Sequence, residues 1–222
     1  YQLGSRIRES VTEISEYDNL LNRKNINDEQ NFEHTFQLDY THPINDHILE
    51  IGGKMIIRDQ EMDYETQSDS IDFVFDNEIF NYTQTVNAAY LSTNINLPND
   101  FSLKAGTRYE HTNIKGNWEN NSEDPFSKNY DNILPNLTFS KKLSMGKSFK
   151  ISYNSRISRP SSSYINTNTN ITNNKNITVG NPALKPSTTK QMEFGYNSFG
   201  RKYQGSYYVY YKQSDDLIES IL

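Results

Sequence analysis

Phe149-Lys150-Ile151-Ser152-Tyr153-Asn154-Ser155-Arg156-Ile157-Ser158 alternates apolar and polar residues, with Ser155 the one small polar residue in the apolar series. Successive side chains of a strand point to opposite faces. Phe149, Ile151, Tyr153, Ser155 and Ile157 therefore share one greasy face, and Lys150, Ser152, Asn154, Arg156 and Ser158 a wet one. A strand of this kind is half in an apolar medium and half in a polar one.

The same period of two recurs on both sides of this stretch. Phe32, His34, Phe36, Leu38 and Tyr40 alternate with Glu33, Thr35, Gln37 and Asp39. Leu49, Ile51, Met55 and Ile57 oppose Glu50, Lys54 and Arg58, and Phe101, Leu103, Ala105 and Tyr109 oppose Ser102, Lys104, Arg108, Glu110 and Thr112. Further on, Leu137, Phe139 and Leu143 share a face, as do Met192, Phe194 and Tyr196, and Tyr203, Tyr207, Val209 and Tyr211. About nine strands result, counting a weak first one near 3–13 and one over 80–97.

Between the strands, short turns sit near 43–47, 98–100, 144–147 and 198–202, where Pro, Asn, Asp and Gly supply turn conformations. Long polar segments sit near 14–29, 60–78, 115–130 and 160–186. Short and long alternate strictly, and the strands exceed the roughly 5–6 residues of an ordinary globular strand. An all-β, antiparallel, up-and-down transmembrane barrel requires this rhythm, with tight turns on one side of the membrane and long loops on the other. Aromatics near strand ends (Phe32, Tyr40, Phe80, Tyr90, Phe101, Tyr109, Phe149, Tyr203, Tyr211) fit interface girdles. A soluble carbohydrate-binding β-protein would alternate equally well, but with shorter strands and loops not sorted by length.

Composition agrees with the barrel. The 222 residues are only 34% hydrophobic, yet include 16 Tyr and 11 Phe, too many aromatics for a disordered chain. No run of 18 apolar residues exists, so no transmembrane helix is expected. Without Cys there is no disulfide or thiol chemistry, and a net charge of −6 with scattered Lys and Arg argues against nucleic acid. Nine is an odd number, whereas single-chain bacterial barrels are even, so residues 1–222 are expected to be a partial barrel. The opening Tyr1-Gln2-Leu3-Gly4 falls mid-pattern, which suggests an internal or processed piece with no signal peptide of its own.

Arg156-Ile157-Ser158-Arg159-Pro160, then Val179-Gly180-Asn181-Pro182-Ala183-Leu184-Lys185-Pro186, then Met192-Glu193-Phe194-Gly195-Tyr196 form an ordered set of short motifs. Together with Ala88-Ala89-Tyr90-Leu91-Ser92 and Ala105-Gly106-Thr107-Arg108-Tyr109-Glu110, this set resembles the C-terminal barrel half of TonB-dependent outer-membrane receptors. The likeness runs from about residue 80 onward, with Ser187 where that family usually has Glu. It implies a larger barrel of about 22 strands in the bacterial outer membrane. It also implies import of a scarce nutrient (a metal chelate, glycan, peptide or vitamin), and as partners membrane lipid, a plug domain, the TonB complex and a surface lipoprotein. Neither a plug nor a TonB box lies within 1–222. A plugless barrel with a structural, adhesive or secretion role would share the strand pattern.

The residues themselves assign those motifs to architecture: Pro160 ends its strand, Gly180 permits positive φ, and Asn181-Pro182 and Lys185-Pro186 enforce extended geometry. Arg58, Arg108 and Arg156 fall on polar faces with Lys54, Lys104 and Lys150. They could pair with a plug or guide anionic substrates, though the neighbouring acids favour ordinary ion pairs with Glu50 and Glu110. Trp118, Tyr64 and Tyr164 are placed in outer loops as substrate contacts. His34 and His42 read as interface residues, and Asp59, Glu61, Asp63, Glu65, Asp69 and Asp72 as a solvated acidic loop. No Ser, His and acid stand in catalytic order and no metal-ligand spacing occurs, so neither enzyme activity nor a cofactor is expected.

Overall fold

The computed structural model describes residues 2–14, 23–68, 76–119, 124–143, 146–167, 170–173, 176–200 and 203–219, with side chains over 27–65, 78–119, 124–143, 146–167, 179–200 and 203–219. In chain order the elements are β1 (Gln2–Ile14), β2 (Arg23–Ile44), β3 (His47–Ser68), β4 (Asp76–Leu97), β5 (Phe101–Glu119), β6 (Phe126–Leu143) and β7 (Lys147–Ser158). There follow the single helical turn α1 (Ser162–Ile165), the short β8 (Asn170–Asn173) and β9 (Asn176–Thr178), then β10 (Ser187–Phe199) and β11 (Gln204–Asp215). Nine strands form one antiparallel sheet in the order β1-β2-β3-β4-β5-β6-β7-β10-β11. The expected up-and-down topology is present, and β8 and β9 add a separate two-stranded hairpin inside the long segment before β10.

Three of the short turns have a local cause among the described residues. Asn45 adopts φ +50°, Asn99 φ +60° and Asp100 φ +62°, conformations that Asn and Asp reach more easily than other L residues. Gly146 sits at φ +70°, and its carbonyl accepts a hydrogen bond from the Phe199 amide at 3.0 Å, tying two neighbouring turns together.

Strand register puts the apolar sets on one face throughout. Phe36 pairs with Met55, Ile51 with Leu91, Leu103 with Phe139, Ile151 with Phe194, and Phe194 with Val209. These side chains point outward: Leu38 is 78% exposed, Val209 71% and Ile151 51%. The residues between them are the buried ones: Tyr82, Val86, Glu110, Thr112 and Ile114 are all under 7% exposed. An inside-out pattern of this kind needs an apolar solvent outside. Near the turns Phe101 stacks on Phe139 at 5.2 Å beneath the Lys141 ammonium at 4.2 Å, an arrangement suited to a membrane interface.

Arginine at Ile151 is expected to destabilise the barrel in a bilayer by about 2 kcal/mol, because that position faces the apolar band. Arginine at the adjacent Ser152 faces the lumen and should cost far less. Unfolding in lipid vesicles separates the two; equal losses would mean that the outward face is misassigned.

The strands reach further than their sequence pattern suggests. β3 continues to Ser68, so Asp59, Glu61, Asp63 and Glu65 lie on a strand instead of in a loop; Asp69 and Asp72 lie outside the described residues. β5 likewise runs to Glu119, which puts Trp118 on a strand, and Tyr64 is on β3. The polar alternation of these extensions hides them, because no face needs to be greasy beyond the membrane. Two supposed girdle aromatics also point inward: Phe80 is fully buried, and the Tyr90 ring lies over Gly52 on the inner face.

Candidate functional site

The inner faces of β3 to β6 carry two tiers at their outer ends. The lower tier is charged. Arg58 donates from Nε to Glu33 Oε2 at 2.6 Å and from Nη1 to Gln84 Oε1 at 2.8 Å. Gln84 Nε2 in turn donates to the Tyr82 hydroxyl at 2.9 Å. Beside this chain, Glu110 is paired with both Arg108 and Arg159, and is only 8% exposed in its side chain. Arg159 also donates to Thr112 Oγ1 at 3.0 Å. Arg159 follows β7 while Glu110 and Thr112 are on β5, so the guanidinium crosses over β6 on the inside of the sheet.

The upper tier is aromatic. Met62, Phe80, Tyr82, Ile114, Trp118 and Ile165 form a buried cluster, with Tyr64, Phe126 and Tyr130 packed against it. The Phe80 and Trp118 rings are 4.4 Å apart. Ile165 comes from α1, so the segment after β7 turns inward and seats this apolar residue on the barrel wall. Asn166 donates to the Tyr64 hydroxyl at 2.6 Å, and the Gly180 amide donates to the Asn166 carbonyl at 2.9 Å. A Cβ on Gly180 would lie 2.8 Å from both the backbone N and C of Asn166. Glycine is thus required by close approach of two backbones, and not by the positive φ read from the sequence. Asn181 completes the device by accepting from the Ala183 amide at 2.8 Å.

Tyr64 and Tyr82 lie beyond the lipid-spanning parts of their strands. Burial pushes both phenols up to about 12; the Glu29 charge adds to the effect at Tyr64, and Tyr130 at Tyr82. Both are neutral at physiological pH. Since the unfolded phenol ionises near 10, their contribution to stability is complete below that pH and is lost as pH rises from about 10 towards 12. Alkaline titration at 295 nm should show late-ionising tyrosines whose ionisation coincides with loosening of the outer end. If every phenol ionises near pH 10 while the fold is intact, the packed cluster does not exist.

The sequence named Glu50 and Glu110 as ion-pair partners for the inward basic residues, and Lys104 and Arg108 pair with them, but it brought none of the aromatic tier together. Trp118 (6% exposed) and Tyr64 belong to the buried cluster, whereas Tyr164 is 47% exposed on α1. Arg58 and Arg108 face inward in ion pairs with Glu33 and Glu110; Arg156 is exposed on the inner face of β7. The Glu110–Arg159 link was missed altogether. Its one signal was a charged residue directly before a strand-ending proline. Among the described residues no group of three or more His, Asp or Glu could hold a metal ion.

Residues 4–221 match the model of the outer membrane protein beta-barrel family. No curated protein sequence matches the chain. Among solved structures, the copper transporter OprC superposes with a TM-score of 0.65 at 13% identity, over 86% of this chain and 30% of that one. The ferric yersiniabactin uptake receptor FyuA from Yersinia pestis gives 0.67 at 14% identity, over 88% and 30% respectively. The alcaligin outer membrane receptor FauA from Bordetella pertussis gives 0.54 at 14%, over 91% and 32%. The chain therefore spans just under a third of the barrel proteins whose fold it shares. With an outward apolar face, an inward polar one and a family match over almost its whole length, the chain belongs to the outer membrane protein β-barrel family of the bacterial outer membrane.

Proposed function

We propose that residues 1–222 form part of the barrel wall of a TonB-dependent receptor that imports a scarce nutrient: a metal chelate, glycan, peptide or vitamin. The observation that carries this reading is the fold shared, over at least 86% of the chain, with three proteins described as a transporter, an uptake receptor and an outer-membrane receptor. Nine strands would then be one portion of a larger barrel, with a plug domain in its lumen.

The inner face suits such a filler. Asn132 Nδ2 and Asn154 Oδ1 are buried on it without a hydrogen-bond partner among the described residues. Arg156 offers an exposed guanidinium beside them. A polar plug would satisfy these groups, and pulling on it through the TonB complex would open the path. Tyr164 is the side chain best placed to meet a substrate first. Trp118 and Tyr64 would be reached only after the 162–166 segment lifts away, and a surface lipoprotein could close over the same rim.

Deleting the gene in its own bacterium should abolish accumulation of one nutrient class at low external concentration. Inactivating the TonB complex should give the same loss. Uptake that persists without the TonB complex would overturn the proposal and favour a plugless barrel.

A further inference from the structure

The outward face carries a depression of about 490 Å³ in the short-turn half of β2 to β5. Register explains it. Leu38, Gly53, Ala89 and Tyr109 stand opposite one another on four consecutive strands, so two small residues lie between two large ones. Leu38 with Phe36 forms one wall and Tyr109 with His111 the other, while Met55 and the amide of Asn87 border the space along β3 and β4. Adjacent strands lie about 4.8 Å apart, so the floor over Gly53 and Ala89 is wide enough for a chain of methylenes.

The glycine at the floor is not there for steric reasons. A Cβ on Gly53 would meet only the Ala88 carbonyl, at 3.7 Å, an ordinary contact. At Gly52 and Gly106, by contrast, a Cβ would collide with a neighbouring side chain. The consequence of glycine at 53 is therefore empty space on the face that meets lipid.

Height identifies the occupant. Leu38 is about seven residues from the Asn45 turn, which at a usual strand tilt is roughly 18 Å, within the outer half of an apolar band of about 25 Å. At the outer edge of the depression Tyr109 donates to Asp131 Oδ1 at 2.6 Å, and His111 Nδ1 lies 2.8 Å from the same oxygen. Apolar surface thus gives way to a polar group where lipid headgroups begin, and the depression is continuous with the membrane-facing band. We propose that it is a seat for one acyl chain of an outer-leaflet lipid, held specifically instead of exchanging with the bulk bilayer. The proposal depends on the outer-membrane location and is independent of what the barrel transports.

Native mass spectrometry of the full-length protein, extracted from outer membranes in mild detergent, tests it. The wild type should retain one lipid adduct through detergent exchange. Gly53→Leu and Ala89→Leu, which fill the floor, should each reduce its occupancy at least fivefold, while Ala105→Leu, outward-facing but outside the depression, should leave it unchanged. Heat-modifiable electrophoretic mobility checks that each variant is folded. Equal occupancy in wild type and Gly53→Leu overturns the proposal, as does absence of any adduct. A photoreactive residue at Tyr109 that captures a protein in place of lipid also overturns it.

Discussion

Phe80→Ala should lower the stability of the outer end of the barrel by about 4 kcal/mol, the usual cost of emptying a fully buried aromatic site. Phe80 has no exposed surface and touches Trp118, Tyr82 and Phe126 through ring contacts with centroids 4.4 to 6.4 Å apart. This cluster lies above the lipid, on the inner face, so water is its alternative environment and the hydrophobic effect operates as in a soluble core. The loss should not stay local. Ile165 is held by the same cluster, so the segment after β7 should come off the wall and become cleavable by protease added to intact cells. Phe80→Leu, which keeps most of the volume, should lose much less. A loss below 1 kcal/mol with the segment still protected would show that the cluster does not hold it.

Glu110→Ala is the second large effect, about 3 kcal/mol, through a different mechanism. Removing one partner of a buried ion pair leaves the other uncompensated in a poorly solvated place. Here two guanidiniums, Arg108 and Arg159, would face each other with their shared carboxylate gone. The Glu110→Ala/Arg159→Ala double variant should recover part of the loss, because one of the two stranded charges is removed as well. Protease sensitivity within 160–186 and thermal unfolding in detergent provide two readouts. Strict additivity of the two single losses would mean that the pair is not coupled.

How much of this was legible beforehand depends on which constraint each residue answers. The faces of β2, β3, β5 and β7 could be read because lipid on one side and water on the other demand alternation, and a one-residue slip would reverse every side chain. The outer halves were not legible. There the outward face meets water and only Met62 and Tyr64 turn to the buried cluster, so Asp59 to Glu65 looks like loop although it lies on β3. Phe80 was assigned to the right strand but to the wrong surface, because an aromatic near a strand end has the same appearance whether it anchors in lipid or packs in the lumen. Arg159 and Gly180 were noticed as motif members, yet their partners Glu110 and Asn166 are fixed only by the curvature of the sheet and the inward path of one loop, which no local pattern records.

Strand length gives the wall an uneven height. β2, β3 and β4 have 22 residues each, whereas β7 and β11 have 12 and β10 has 13. At about 3.3 Å per residue and a usual tilt, the tall side overtops the low one by roughly 25 Å. A bulky visitor such as an antibody or a phage tail, arriving through the surface polysaccharide, would strike the β2–β4 parapet first. Among the described strands the low side is where β7 hands the chain to its inward-folded segment, so that segment stands at the lower part of this stretch of wall.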